Sequence, residues 1–285
     1  MTIDASAVLV GAAGLAEELA DPQQAPLLLD VRWALGLPPA YPDFLAGHVP
    51  GAQWLDLETV FAAKPSADRH GGRHPLPDPD RLQAALQAVG LDDGSAVVVY
   101  DAADSVPAAR AWWALRWIGL TDVRVLNGGL AGWVRAGQPL ESGAATVRLR
   151  GSVQVHPGAM PVLDAVAAAR VAQAGVLLDA RTAPRFRGET ESIDPVAGHV
   201  PGARNLPAAA LQDDGGALLD PVAVREALLA RGVTAATEVG AYCGSGITAA
   251  HTVWAAASAG IEVHLYPGSW SDWTADPSRP VATGA

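Results

Sequence analysis

The chain has 285 residues, about the length of two average domains, and half of them are hydrophobic while 17% are charged. This composition excludes a disordered protein, and the single cysteine excludes a disulfide-stabilised scaffold or a cysteine-rich zinc module. With 19 basic and 30 acidic residues, the formal net charge is −11, and no run of basic residues occurs. Nucleic acid is therefore not expected as a ligand, and no apolar stretch is long enough to span a membrane.

The N-terminal segment is mildly apolar from Ala7 to Ala16. Acidic residues surround it and the first basic residue is Arg32, whereas a secretory signal has a positive region before its apolar core. We therefore expect a cytoplasmic protein, in which a single thiol can stay reduced.

Short apolar runs predict buried parallel strands, and helical patterns with acidic N-caps or many alanine and tryptophan residues lie between and after them. The strands are expected at Leu27–Val31, Ala96–Tyr100, Val176–Ala180 and Glu238–Tyr242. The helices are expected at Asp80–Val89, Pro107–Ile118, Pro221–Ala230 and Thr248–Ala259. Strands that alternate with helices predict an α/β fold, a mostly parallel sheet with helices on both faces.

The chain contains an internal duplication. The sequence GHVPGA at residues 47–52 recurs at residues 198–203, and the pattern Leu-Leu-Asp-x-Arg at residues 28–32 recurs at residues 177–181. A repeat of about 150 residues is too long for a solenoid, so each half is expected to be a complete domain.

The boundary between the two halves is predicted from composition. We assign residues 1–142 to a first domain and residues 158–285 to a second. Residues of about 143–157 have a mixed composition with Gly143 and Gly151, and we assign them to the linker.

Features that occur in both halves are interpreted as scaffold, and features of one half as candidates for chemistry. The duplicated Asp-x-Arg pairs are expected to form local charge-assisted hydrogen bonds. His48 and His199, in the two GHVPGA segments, are expected to shape turns and not to act as general bases.

Cys243 occurs only in the second half, and Asp101 occupies the matching position of the first. The residues that follow it, two of them glycines, are Gly244, Ser245, Gly246, Ile247 and Thr248. Glycines let backbone N–H groups turn inward, and the helix that follows adds the positive end of its dipole. This setting favours the thiolate, so Cys243 is predicted to be a reactive nucleophile; a buried, inert cysteine is the alternative.

Arg185 is also confined to the second half, because the first half has Gly36 at the matching position. Its guanidinium is predicted to bind an anionic substrate near Cys243. The overall charge of −11 does not oppose this, since the cation that matters is local. A solvated surface arginine is the alternative.

Both halves, and so nearly the whole chain, resemble the tandem-domain rhodanese sulfurtransferases. The resemblance rests on the duplicated segments, the loop from Cys243 to Ala249, Asn127-Gly128-Gly129-Leu130-x-x-Trp133 and Tyr266-Pro267-Gly268-Ser269-Trp270-x-x-Trp273. It implies two rhodanese-like domains, the first inactive and the second catalytic, in agreement with Asp101 at the cysteine position.

The resemblance also implies a covalent reaction with ping-pong kinetics. The Cys243 thiolate takes the outer sulfur of a donor and becomes a persulfide, which the N–H groups of the loop hold. A thiophilic acceptor such as cyanide, a thiol or a thioredoxin then removes that sulfur. Neither a metal nor an organic cofactor is implied.

The loop sequence bears on the donor. Family members that prefer thiosulfate usually carry basic residues after the nucleophile, and those that prefer 3-mercaptopyruvate carry Gly-Ser-Gly-Val-Thr. This chain differs from the second pattern only at Ile247, so the resemblance favours 3-mercaptopyruvate. It implies that Arg185 binds the donor's carboxylate and that Ser245 polarises or positions the donor. Thiosulfate is the alternative donor.

Two features of the family pattern stay open. A second carboxylate-binding arginine often precedes the GHVPGA segment, but residues 189–197 contain none, so either Arg187 replaces it or the affinity is lower. The Ser-His-acid arrangement proposed for the family would use His74 here, with Asp56 or Glu58 as the acid.

Other functional classes also use a cysteine loop between a strand and a helix. A cysteine phosphatase or an arsenate reductase needs an arginine at the position of Ala249, so this class is disfavoured. A sulfur carrier or an interaction module without catalytic activity is the other alternative, and the retained cysteine and glycines argue against it.

Overall fold

The computed structural model describes residues 7–23 and 25–285, which form two parallel sheets, one in each half of the chain. The first sheet has the strand order β1-β5-β4-β2-β3. Its strands are β1 (Leu9–Val10), β2 (Leu27–Asp30), β3 (Gln53–Trp54), β4 (Val97–Tyr100) and β5 (Val123–Leu126).

The second sheet repeats this arrangement in the order β7-β6-β8-β9. Its strands are β6 (Val176–Asp179), β7 (Arg204–Asn205), β8 (Val239–Tyr242) and β9 (His264–Leu265). Beside β9, where the first sheet has β1, an isolated parallel bridge joins Val162 to Leu265.

Helices cover both faces of each sheet. The first half contains α1 (Ala12–Ala20), α2 (Tyr41–Ala46), α3 (Leu57–Val60), α4 (Pro79–Ala88), α5 (Val106–Trp117) and α6 (Gly129–Arg135). The second half contains α7 (Ala165–Ala174), α8 (Ala183–Arg187), a short 3-10 helix (Ala208–Leu211), α9 (Pro221–Leu229), α10 (Ile247–Ser258) and α11 (Ser269–Trp273). None of the helices in the described residues is both long and apolar enough to cross a membrane.

The α/β architecture confirms the predicted fold class, and the predicted strands and helices are all present to within about one residue. Acidic residues cap α4 and α9 as expected: the Asp78 carboxylate accepts from Arg81 N, and the Asp220 carboxylate accepts from Val222 N. Residues 143–157 form no helix or strand, and their assignment as a linker stays a prediction.

The two halves share one hydrophobic core in which α5 packs against α10. Both helices are almost completely buried, with Trp112 and Trp113 of α5 and Trp254 of α10 inaccessible to solvent. The Trp254 indole N–H donates to the carbonyl of Val8 in the first half, at 2.8 Å. Because α5 and α10 each follow the central strand β4 or β8 of their sheet, this contact brings the loops after both strands to the junction of the halves.

The duplicated Asp-x-Arg pairs lie at the ends of β2 and β6. Arg32 donates from Nε to the Asp30 carboxylate at 3.0 Å, and from Nη2 to the carbonyl of Gly47 at 2.9 Å. Arg181 makes the same contacts to Asp179 and Gly198. Each pair therefore ties a strand end to the GHVPGA segment of its own half.

The histidines of the GHVPGA segments are also held identically. The Nδ1 atom of His48 lies 2.9 Å from the Phe44 carbonyl oxygen, and that of His199 lies 2.8 Å from the Phe186 carbonyl oxygen. Each imidazole also stacks on the ring of the same phenylalanine. Both histidines stabilise turns, in agreement with the expectation from the repeat.

Candidate active site

Cys243 lies in the loop that joins β8 to α10, and only 2% of its surface is exposed. Its Sγ atom accepts a hydrogen bond from Gly246 N at 3.1 Å, and its backbone N–H donates to Ser269 Oγ at 3.1 Å. Its carbonyl accepts from Trp270 N at 3.0 Å, at the start of α11. The nucleophile candidate is thus fixed on both sides of its backbone, with one loop N–H already directed at the sulfur.

The loop needs its second glycine. Gly246 has φ of +81°, and a β-carbon there would lie 2.4 Å from the carbonyl oxygen of Pro267. A side chain would therefore push α10 away from the segment before α11. Of the next two residues, Ile247 packs into the core and Thr248 is half-buried in the first turn of α10.

In the matching loop of the first half, the side chain of Asp101 accepts the hydrogen bonds of the loop N–H groups. Asp101 accepts from the N–H groups of Ala103 and Ser105 at 3.1 Å and of Ala108 at 3.0 Å. Burial raises the pKa of Asp101 to about 7, repulsion from Asp104 adds to this, and the three N–H donors oppose it. The N–H groups that could hold a sulfur anion in this half are thus occupied by a side chain.

Ser245 forms a chain of contacts with two residues of the first half. Its Oγ atom lies 2.7 Å from His74 Nδ1, and His74 Nε2 lies 3.3 Å from Glu58 Oε1. Asp56, the other acid considered from the sequence, instead caps α3 by accepting from Thr59 N at 2.8 Å. The structure thus places Glu58, and not Asp56, beside His74.

The imidazole of His74 is held neutral. Burial lowers its pKa to about 4, and the charges of Arg110 and Arg73 lower it, while the contact with Glu58 raises it. A neutral ring that donates from Nε2 to the carboxylate of Glu58 leaves Nδ1 free to accept the Ser245 hydroxyl proton. The serine hydroxyl is therefore next to a proton acceptor.

Arg185 is positioned by acidic residues of the segment that follows α8. Its Nε and Nη2 atoms donate to the Glu191 carboxylate at distances of 2.8 to 3.1 Å, and Nη2 lies 3.3 Å from Asp194 Oδ2. The remaining nitrogen, Nη1, lies 3.7 Å from where a β-carbon of Gly244 would be. With its side chain 19% exposed, Arg185 is directed at the cysteine loop and is not a solvated surface arginine.

A second arginine reaches the same loop from the first half. Arg73 donates from Nη1 to Asp194 at 2.7 Å and from its backbone N to Ser271 Oγ at 2.9 Å. Its Nη2 atom lies 3.3 Å from a β-carbon position on Gly244. No pattern in the sequence marks Arg73, although it directly precedes His74. Arg187, the replacement considered from the sequence, pairs with the exposed Glu189.

The described residues contain no group of three histidine, cysteine or acidic side chains that could hold a metal ion. The cluster around Cys243 instead combines a buried thiol, a neutral imidazole and the free edges of two guanidinium groups. Such a site can attack a small anionic electrophile and move one proton.

Known proteins are similar to this chain over nearly its whole length. The family model described as Rhodanese-like domain matches residues 13–136 and 163–276. A protein of Pseudomonas aeruginosa named "Probable 3-mercaptopyruvate sulfurtransferase" is 46% identical, over 98% of this chain and 99% of that protein. "Putative thiosulfate sulfurtransferase SseB" of Mycobacterium tuberculosis is 41% identical, over 97% of both chains.

Solved structures show the same similarity. The crystal structure of SseA from Escherichia coli, described as a 3-mercaptopyruvate sulfotransferase with the rhodanese fold, superposes with a TM-score of 0.79 at 32% identity. The match covers 92% of this chain and 98% of that one.

Proposed function

The chain belongs to the rhodanese family and is a sulfurtransferase, and we propose that Cys243 carries the transferred sulfur as a persulfide, with 3-mercaptopyruvate as the donor. The first rhodanese-like domain is proposed to be catalytically inactive, because Asp101 replaces the nucleophile there.

The proposed first step breaks one bond and forms one. The Cys243 thiolate attacks the sulfur of 3-mercaptopyruvate, a sulfur–sulfur bond forms, and the carbon–sulfur electron pair passes to the enolate of pyruvate. The proton of the donor thiol is transferred to the methylene carbon of that enolate, which gives pyruvate and a persulfide anion. In the second step, cyanide, a thiol or a thioredoxin attacks the outer sulfur and releases the Cys243 thiolate.

The contact between Ser245 and His74, 2.7 Å long, is the observation that carries the donor assignment. Transfer from 3-mercaptopyruvate requires movement of a proton, and a hydroxyl beside a neutral imidazole is suited to this. Transfer from thiosulfate releases sulfite and moves no proton. A Ser-His pair next to the nucleophile therefore has a use with the first donor and none with the second.

The charges near Gly244 also favour a donor with a single negative charge. Arg185 Nη1 and Arg73 Nη2 both approach Gly244, so together they could bind one carboxylate. Both arginines are already paired with acidic residues, Glu191 and Asp194, which reduces the positive potential that a dianion such as thiosulfate would need. Arg73 is proposed to take the place of the second carboxylate-binding arginine that residues 189–197 lack.

The donor assignment is tested by measuring kcat/KM for 3-mercaptopyruvate and for thiosulfate, with cyanide as the acceptor in both cases. We expect a higher value for 3-mercaptopyruvate, and no activity with either donor in Cys243→Ser. A clear preference for thiosulfate would contradict the donor, and residual transfer by Cys243→Ser would contradict the persulfide mechanism.

A thiol or a thioredoxin is proposed as the acceptor, and the cytoplasm as the location, because a persulfide-forming single thiol needs a reducing compartment. Recovery of the protein from an oxidising compartment after cell fractionation would contradict the location.

A further inference from the structure

Arg110, on α5 of the first domain, is a fully buried cation without an acidic partner among the residues that the structure describes. Its side chain is inaccessible to solvent, and none of the acidic side chains in residues 7–23 and 25–285 forms an ion pair with it. Within the described residues its guanidinium donates to the backbone carbonyls of Phe61, His74, Pro75 and Gly246, and its Cζ atom lies 6.0 Å from the centroid of the Trp113 ring. Carbonyl oxygens and an aromatic ring lower the cost of the buried charge but supply no counter-ion, and such a charge is costly unless an anion lies nearby.

The ionisable group that can compensate Arg110 is the thiol of Cys243. The Nη1 atom of Arg110 lies 3.3 Å from the Gly246 carbonyl oxygen, and Gly246 N–H donates to Cys243 Sγ at 3.1 Å. Burial lowers the pKa of Arg110 to about 10, and the charge of Cys243 acts in the opposite direction. The guanidinium is therefore protonated near neutral pH and lies behind the loop that carries the thiol.

The other charged groups around the thiol already have partners. Arg73 pairs with Asp194, and Arg185 pairs with Asp194 and Glu191. His74 is neutral near pH 7, because burial lowers its pKa to about 4 even though the contact with the half-exposed Glu58 opposes this shift. Arg110 is thus the positive charge in this group that no described carboxylate balances.

We propose that Arg110 supplies, from the first domain, the buried positive charge that stabilises the thiolate of Cys243. On the proposed function, the same charge also stabilises the persulfide anion that follows. The charge is confined to one half: His251 of α10 stands at the position that matches Arg110 of α5, and burial lowers the pKa of His251 to about 4, so that its ring is neutral near pH 7. The second domain would then depend on the first for the charge that makes its cysteine reactive.

The test follows the resting thiol, so its outcome does not depend on the donor. The rate of alkylation of Cys243 by iodoacetamide is measured against pH for wild type, Arg110→Gln and Arg110→Lys, after folding has been checked by circular dichroism. In Arg110→Gln, which removes the charge, the pH midpoint of alkylation should rise by about one unit or more. In Arg110→Lys, which keeps the charge, the midpoint should stay close to that of wild type.

Arg116→Gln is the matched control, because Arg116 lies on the same helix but donates to the Thr121 carbonyl away from the thiol. Its midpoint should equal that of wild type. An equal midpoint in a folded Arg110→Gln would overturn the proposal. If Arg110→Gln does not fold, Arg110→Met, which removes the charge without burying a polar group, takes its place: a rise of about one unit supports the proposal, and a wild-type midpoint overturns it.

Discussion

Ser245 and His74 belong to different halves of the chain, yet their side chains form one contact next to the nucleophile. The proposed reaction gives this pair a task with one donor only, because 3-mercaptopyruvate must transfer its thiol proton and thiosulfate has none. A comparison of the rates with the two donors can therefore distinguish a loss of proton transfer from a loss of sulfur transfer in the same protein.

Replacement of His74 by glutamine should lower kcat/KM for 3-mercaptopyruvate by about 100-fold, the range expected for loss of a general base. The residual thiosulfate activity should change by less than about threefold, since sulfite leaves without a proton. Steady-state rates with both donors, with Ser245→Ala as a second variant, test this. Equal losses with both donors would show that His74 only supports the loop.

The pH dependence of that loss follows from the environment of His74. Because burial lowers its pKa to about 4, the imidazole is neutral and able to accept a proton across the range from about pH 6 to pH 8. The ratio of wild-type to His74→Gln activity should thus be constant over this range and fall only as the pH approaches about 4. A ratio that declines between pH 7 and pH 6 would mean that His74 titrates near its ordinary pKa.

The repeat in the sequence identified residues that differ between the two halves, whereas of the residues that reach across from one half to the other only His74 was predicted, and only through the family resemblance. Cys243, Ser245 and Arg185 could be found because the repeat supplies a matching position for each. The side chains of Arg73 and Arg110 lie beside a loop that is about 170 and 136 residues away in the sequence, so no local pattern marks them. A signal for Arg110 was nevertheless present: it is a charged residue in a helix otherwise rich in alanine and tryptophan.

At the scale of elements, the loops after β4 and β8 direct backbone N–H groups at a buried side chain in two different ways. The loop after β8 directs an N–H group at a thiol, whereas the loop after β4 surrounds the carboxylate of Asp101 with three N–H groups. One of these belongs to Ala108 in the first turn of α5, so Asp101 also acts as a cap for that helix. The loop after β4 is thereby tied to α5, the helix that packs against α10 of the second half.

Replacement of Asp101 by alanine should lower the free energy of unfolding by about 2 kcal/mol, because two buried N–H groups and a half-buried one would lose their acceptor, while removal of a buried carboxyl whose pKa is raised to about 7 offsets part of this loss. Urea unfolding measures this. Asp104→Ala is the matched control: the exposed carboxylate of Asp104 accepts only from Val106 N and should cost about 1 kcal/mol or less. Equal losses in the two variants would contradict the capping role.

The strands show why prediction from sequence was incomplete at this scale. The central strands β2, β4, β6 and β8 are continuous apolar runs buried on both faces, so composition alone marks them. The edge strands β1, β3, β7 and β9 have two residues each, too few for any periodicity. The longer β5 is interrupted by Arg124, whose charge is matched by Glu18 of α1. An arginine at this position of a strand is explained by the ion pair with α1, which the sequence of the strand alone does not show.

For the whole molecule, the repeat predicted two domains but not the face by which they join. That face is formed by α5 and α10, which are apolar on nearly all sides and therefore could not be assigned an inner face from periodicity. Their contact places Arg73, His74 and Arg110 of the first domain around the cysteine loop of the second. A separate second domain would lack all of these side chains.

The net charge of −11 repels an anionic donor at long range, but the cleft beside Arg73 and His74 is lined by four basic side chains and one acidic one, Glu58. This cleft of about 540 Å³ is lined by Arg73 and His74 together with the exposed Lys64, Arg69 and Arg81. No ion pair joins these three exposed side chains to any acidic residue within the described part of the chain. They are thus free to raise the local concentration of an anion against the field of the whole protein.

Removal of two of these charges in Lys64→Gln/Arg81→Gln should raise KM for 3-mercaptopyruvate about threefold at an ionic strength of about 0.01 M, with kcat unchanged. The difference should disappear at about 0.5 M, where the Debye length is only a few ångströms. Arg148→Gln/Arg150→Gln removes the same charge from an exposed segment elsewhere and is the matched control. If both double variants raise KM equally at low salt, the net charge governs donor capture, and the cleft has no special part in it.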